Sequence, residues 1–172
     1  GAYGRMFHRL YGTPCISVRP FMAYGPGQDS KKLIPSVVVA LLNGEAPKIS
    51  SGRLEADWVY IDDVIEGFLE AALAPGIDGQ TIDLGSGTLT SVRAVVECLA
   101  TMISSEAKLL FGALPDRPFE QVRLADTAGA LATIGWKATT PLEQGLQQTV
   151  DWYREQQSVM KDGKTGGVTS VS

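Results

Sequence analysis

Few side chains in this sequence could carry acid/base or covalent chemistry, and their spacing restricts that chemistry further. Asp62 and Asp63 form an adjacent carboxylate pair, the kind that general acid/base catalysis uses when two environments push the pKa values apart. They stand at the start of an apolar-periodic run, however, where Asp62 reads as a helix cap and Asp63 as a first-turn charge facing the helix dipole. His8 is the single histidine, with no second His and no Cys at ligand spacing, so a zinc site or a His-based triad has nothing to build on and no metal is expected. Cys15 and Cys98 lie inside apolar runs and read as small buried hydrophobes. A tyrosine followed four residues later by lysine would make a proton relay. Tyr3, Tyr11, Tyr24, Tyr60 and Tyr153 are followed at that spacing by Phe7, Cys15, Gln28, Val64 and Gln157. No such pair exists, and no residue is assigned a catalytic role.

Phosphate-cradling turns are equally scarce. A dinucleotide site needs a glycine-rich turn between a strand and a helix so that the backbone can approach the pyrophosphate. Gly25-Pro26-Gly27 and Gly85-Ser86-Gly87 lack the third glycine and read as turns. Gly163-Lys164-Thr165 imitates the end of a P-loop, but Ser158 stands where the leading glycine belongs.

The elements that would position these residues can be read from periodicity and punctuation. Helical spacing covers Tyr3 to Tyr11, with Met6, Phe7, Leu10 and Tyr11 on one face and Gly12 as the stop. A buried strand is expected at Pro14 to Val18 and a loop from Phe21 to Ser30. A helix is expected at Leu33 to Leu42, carrying Pro35 in its first turn and ending at Asn43-Gly44. Further strands are expected at Asp57 to Ile61, Thr81 to Leu84 and Lys108 to Phe111, with Val122 to Ala125 extended. Helices are expected after Asp62, after Ser91 as cap, from Thr127 to Ile134 behind Asp126, and from Pro141 to Glu155. Trp58, Trp136 and Trp152 read as packing aromatics, and Arg19 as a partner for an internal carboxylate. The alternation implies an α/β architecture with helices on at least one face of a sheet.

The 172 residues carry a net charge of −4, with 44% hydrophobic and 20% charged residues, which suits one globular unit, here placed at residues 1–160 with a disordered tail at 161–172. The acidic balance without a Lys/Arg cluster gives no footprint for nucleic acid. The longest apolar run, Val37 to Leu42, is far short of the roughly 20 residues of a membrane helix, so no membrane span is expected and the cytoplasm is the expected compartment. A first residue that is not Met, inside an apparent helix, reads as part of a longer protein.

Several strings, taken in order, resemble a known family: Arg19-Pro20-Phe21-Met22-Ala23-Tyr24-Gly25-Pro26, Lys32-Leu33-Ile34-Pro35, and Asp57-Trp58-Val59-Tyr60-Ile61-Asp62-Asp63-Val64. Asp83-Leu84-Gly85-Ser86-Gly87, Asp116-Arg117-Pro118 and Ile134-Gly135-Trp136 follow in the same order. Together they look like the carboxy-terminal half of the NAD-dependent nucleotide-sugar epimerase/dehydratase family, the extended short-chain dehydrogenases. The resemblance implies a fold made of the end of a Rossmann-like parallel sheet plus the smaller substrate-binding α/β subdomain. It implies NAD or NADP as cofactor, with the glycine-rich turn and the Tyr/Lys pair in an amino-terminal Rossmann half that precedes these strings. It also implies a nucleotide-diphosphate sugar as ligand and, for the intact enzyme, a homodimer.

Carried over residue by residue, Phe21 and Ala23 match positions that approach the nicotinamide. Met22 stands where most members place an Asn against the substrate, and a thioether cannot supply the amide's donors. Lys32 and Leu33 match a nucleotide contact, Pro47, Lys48 and Ile49 a segment lining the base, and Arg117 a diphosphate or ribose arginine. Ala56 replaces a family arginine on the diphosphate, for which Arg53 is a substitute. Asp83 stands where many members have Asn and reads as a turn residue with a substrate contact. The reading is thus a substrate-binding half without hydride-transfer machinery. The alternative is a non-catalytic module that binds a nucleotide-sugar or packs against a partner.

Overall fold

The computed structural model describes residues 1–118 and 120–165, with side chains as far as Val159. Strands β1 (Ser17–Pro20) and β5 (Thr81–Leu84) pair in parallel, with Val18 opposite Ile82 and Arg19 opposite Asp83. Strands β2 (Met22–Tyr24) and β4 (Glu55–Tyr60) are also parallel, and β6 (Leu89–Ser91) joins β4 antiparallel. A third, short pair joins β3 (Lys48–Ile49) and β7 (Leu110–Phe111) in parallel. Helices α1 (Ala2–Tyr11), α2 (Leu33–Leu42), α3 (Ile61–Leu73), α4 (Val92–Ile103), α5 (Thr127–Ile134) and α6 (Leu142–Thr165) alternate with these strands. The architecture is α/β with parallel sheets, as the alternation implied.

Local chemistry explains most boundaries. In α2, Pro35 lies in the first turn, where its missing N–H leaves no helical bond unmade, and its burial with Ile34, Val37, Val38 and Leu41 anchors the helix. The Ser91 hydroxyl accepts from the Ala94 amide at 3.1 Å and caps α4. Asp126 caps α5 by accepting from the Gly129 amide at 2.8 Å, and Gly135 ends that helix at φ 69°.

Two hydrophobic clusters form. One gathers α2, α4 and α6 over β2 and β4 through Val38, Leu99, Leu146 and Val150, and the other sets Val64, Ala71, Ile134 and Trp136 against Ile82 and Leu84. Strand β4 divides them. All its residues after Glu55 are buried, because helices cover both faces, and its hydrophobic run needs no alternation. The second core is tight at Gly67, where a Cβ would sit 2.6 Å from a Leu84 methyl. Trp58 and Trp136 are buried in these cores, while Trp152 packs edge-on against Tyr153.

Several expectations are corrected. The first strand starts at Ser17 rather than Pro14, and the expected loop after Phe21 opens with β2, because its residues pair with Trp58 to Tyr60. Asp62 does not cap α3, whose cap residue is Tyr60, and it lies in the first turn instead. Cys15 and Cys98 are only half-buried. Helix α6 runs to Thr165, past the expected tail boundary at residue 161, while residues 166–172 lie outside the described residues, as does the chain's Phe119.

Helix α1 buries none of its residues, leaving Tyr3, Phe7, Leu10 and Tyr11 exposed, and α3 likewise exposes Phe68, Leu69 and Leu73. Among the described residues, no helix is long and apolar enough to cross a membrane, and no cluster of metal-ligating side chains occurs.

Candidate functional site

A cleft of about 200 Å³ opens between β2, β4 and the segment following Pro118. Phe21 and Met22 line one part, Leu54 and Ala56 another, and Arg123 a third. Phe21 is fixed because its amide donates to the Leu84 carbonyl at 2.9 Å, which joins the end of β1 to β5. The parallel register sets Met22 opposite Trp58 and leaves it 43% exposed, while the next residue, Ala23, packs against the second core. The alternation of the strand therefore gives Met22 to the cleft and Ala23 to the interior.

One buried carboxylate organises this region. Asp57 is 1% exposed and is satisfied on both oxygens. Its Oδ1 accepts from the Ser86 amide at 2.6 Å and the Ser86 hydroxyl at 2.8 Å. Its Oδ2 accepts from the amides of Gly87 at 3.1 Å and Ala125 at 3.0 Å. A buried charge is tolerable when its lone pairs are answered in this way. The effect is positional: Asp57 ties the turn after β5 to the irregular segment before α5 that carries Arg123. Gly85 is required there, since a Cβ would lie 2.5 Å from the Ala125 side chain and 2.6 Å from the Asp57 carboxylate.

Asp63 plays a similar part on α3. It is 2% exposed and accepts from the Thr139 amide and hydroxyl, both at 3.0 Å, and from the Thr140 amide at 3.1 Å. The Asp62/Asp63 pair is thus split into an exposed first-turn charge and a buried loop anchor, and no acid/base pair results. The tyrosines nearby are buried. Tyr24 donates to the Leu142 carbonyl at 3.1 Å, and burial, with Asp63 adding to it, pushes its phenol well above the ordinary range. Burial and then Asp62 and Asp63 raise Tyr60 as well.

The residues singled out from the sequence do not all converge. Phe21 and Met22 reach the cleft, together with Ala56, the position where a family arginine is replaced. Lys32 is exposed at the N-cap of α2 with extended backbone, and Leu33 packs against the first core. Pro47 is buried with its carbonyl taken by the Leu110 amide, Ile49 is 1% exposed in the core, and only Lys48 of that segment is open to solvent. Arg53 is exposed near Asp116, whose carboxyl is held below its ordinary range chiefly by a bond from the Ser51 amide. The Arg117 side chain is 84% exposed, with Glu120 at 3.7 Å. Asp83 is a strand residue rather than a turn residue, and its Oδ1 accepts from Arg19 at 2.7 Å from Nε and 2.6 Å from a terminal nitrogen, so that carboxylate is taken. The parallel register foreshadows that pair, which the sequence reading anticipated from Arg19 alone.

Arg123 and Asp57 are the residues that sequence reasoning missed. An isolated arginine in an extended run gives no periodic signal. Asp57 announces itself only as a charge at the head of an otherwise apolar strand, a position that demands buried partners.

Comparison with known proteins bears on the family and the fold. Residues 2–85 match the model of the NAD dependent epimerase/dehydratase family. A dTDP-glucose 4,6-dehydratase of Xanthomonas campestris is 31% identical over 166 residues, covering 90% of this chain and 46% of that protein. A UDP-glucose 4-epimerase of Mycolicibacterium smegmatis is 30% identical over 164 residues, covering 88% of this chain and 49% of that protein. The solved UDP-glucose 4-epimerase of Thermotoga maritima, with UDP-glucose, superposes with a TM-score of 0.81 at 26% identity, covering 91% of this chain and 51% of that one. The fold is that of about half of an extended short-chain dehydrogenase. Over residues 2–85 the chain matches the family of NAD-dependent epimerases and dehydratases, and it spans about half the length of the curated relatives it resembles.

Proposed function

We propose that this chain is the carboxy-terminal, nucleotide-sugar-binding half of an NAD-dependent epimerase or dehydratase. The observation that carries the reading is the cleft in which Phe21, Met22 and Ala56, drawn from two separate motifs, meet beside an arginine. In this reading Phe21, on the cleft, meets the nicotinamide of NAD or NADP, and Ala23, turned to the interior, supports it from behind. Lys32 and Lys48, both exposed, supply cations toward the nucleotide, and Leu33 and Pro47 set the backbone that carries them. Arg53 and Arg117 are exposed and lie outside the cleft lining, and Ile49 and Asp83 act only as supports.

The cofactor's own cradle is supplied by the amino-terminal half. Within this chain the Gly85-Ser86-Gly87 turn is not available for a diphosphate, because its Ser86 and Gly87 amides already donate to Asp57. A bound nicotinamide cofactor would accept hydride from a sugar carbon. What this chain contributes is different: it binds the nucleotide-sugar, orients the ring and excludes water from it. The partner surfaces for the amino-terminal half are the exposed apolar sides of α1 and of α3, whose large side chains remain uncovered.

The test is to read the gene upstream of Gly1 and express the whole frame. An in-frame glycine-rich turn and a Tyr-x-x-x-Lys, with turnover of a UDP- or dTDP-hexose that needs both halves, supports the reading. A start codon near Gly1, with no turnover, replaces it by the non-catalytic binding module.

A further inference from the structure

We infer that Arg123 is the group that holds the diphosphate in the cleft, taking over from the arginine absent at position 56. The inference rests on the nucleotide-sugar reading and adds to it the residue on which anion binding depends.

Three observations support it. First, Arg123 is the one cation lining the cleft among the described residues, whereas Arg117 and Arg53 do not line it. Second, its guanidinium is uncommitted to any carboxylate among the described residues, and donates only to the Gln121 side-chain oxygen at 3.1 Å. Of the acids on the cleft, Asp57 is saturated by Ser86, Gly87 and Ala125, and Glu120 lies 3.7 Å from Arg117, so neither pairs with Arg123. Third, the backbone that carries it is pinned two residues on, where the Ala125 amide donates to Asp57, and again where Asp126 caps α5. A guanidinium suits the task because its planar fork engages two phosphate oxygens at once.

The opposite wall makes the dependence sharper. Ala56 is buried and non-polar, Leu54 and Phe21 add no donor, and Met22 offers only a thioether, so no other side chain on that wall can answer phosphate oxygens. The Glu55 carboxylate is also on the cleft and repels an anion, so removal of Arg123 leaves a site that disfavours a diphosphate.

The experiment titrates the 172-residue chain with UDP, dTDP and uridine by calorimetry, comparing the native chain with Arg123→Gln and Arg117→Gln. The native chain should bind at least one diphosphate more tightly than uridine. Arg123→Gln should weaken that diphosphate about 10-fold or more while leaving uridine unchanged, and Arg117→Gln should weaken it by less than about 3-fold. Diphosphate binding that survives Arg123→Gln, or is lost in Arg117→Gln instead, overturns the assignment while the nucleotide reading stands. Failure of the native chain to bind any of the three overturns the nucleotide reading and the assignment with it. A circular-dichroism melt of each variant shows whether a loss is one of folding.

Discussion

Replacing Asp57 by Asn isolates the role of the buried carboxylate, because the side chain keeps its shape and loses one acceptor. In the native chain Oδ1 answers the Ser86 amide and hydroxyl, and Oδ2 answers the Gly87 and Ala125 amides. The asparagine does best with its nitrogen toward Ser86, whose hydroxyl can turn to accept. The Ser86 amide is then left unanswered, at about 1–3 kcal/mol. The two remaining bonds fall from charge-assisted to neutral strength, losing about 1 kcal/mol each. Relief from burying a charge offsets part of this. The net destabilisation is about 3 kcal/mol, or about 6–12 °C in Tm for a chain of this size. Urea denaturation followed by circular dichroism measures it, with the slope m unchanged if only the folded state is affected. Amide exchange should accelerate most at Ser86, which loses its acceptor, and less at Gly87 and Ala125, whose bonds are weakened. A loss below about 1 kcal/mol, with those amides still protected, would refute the claim that Asp57 holds the cleft's third side in place.

Gly67→Ala forces a methyl to within 2.6 Å of Leu84 and 3.1 Å of Trp136, and should cost about 1–3 kcal/mol by the same denaturation assay despite alanine's better helix propensity. The uncovered faces of α1 and α3 should bind a hydrophobic dye and drive self-association of the chain, measured by fluorescence and sedimentation, and the upstream half should suppress both. Asp116 is held below its ordinary value of 3.8 by the Ser51 amide. Its tether is therefore whole above about pH 3.8, where the unfolded group would also be ionised, and is released as pH falls through the lower folded value. Amide shifts of Ser51 followed by NMR across acidic pH should report a midpoint below 3.8.

What the sequence showed follows from how local each signal is. The helix at Leu33 to Leu42 was legible to the residue because a dense apolar run, an early Pro and a closing Asn-Gly all agree. Thr81 to Leu84 and Thr127 to Ile134 were legible for similar reasons, the latter through Asp126 as cap and Gly135 as stop. Strand β2 was hidden because three residues between Arg-Pro and Gly-Pro become a strand only when β4 lies alongside. The roles of Asp57, Asp63 and Asp83 were hidden for the same reason. Each carboxylate is defined by partners at least 29 residues away in sequence, supplied by the fold and not by the neighbours. The cleft was half legible. The ordered motifs named Phe21, Met22 and Ala56, but nothing local marked Arg123 as their neighbour.

The most direct test of the central claim is to map nucleotide-sugar binding onto the isotopically labelled 172-residue chain by NMR, using UDP-glucose and dTDP-glucose. The account expects saturable shifts confined to the cleft and its approaches, at Phe21, Met22, Lys32, Lys48, Ala56 and Arg123. Shifts from neither sugar nucleotide, or shifts gathered instead on the α1 and α3 faces, would contradict it.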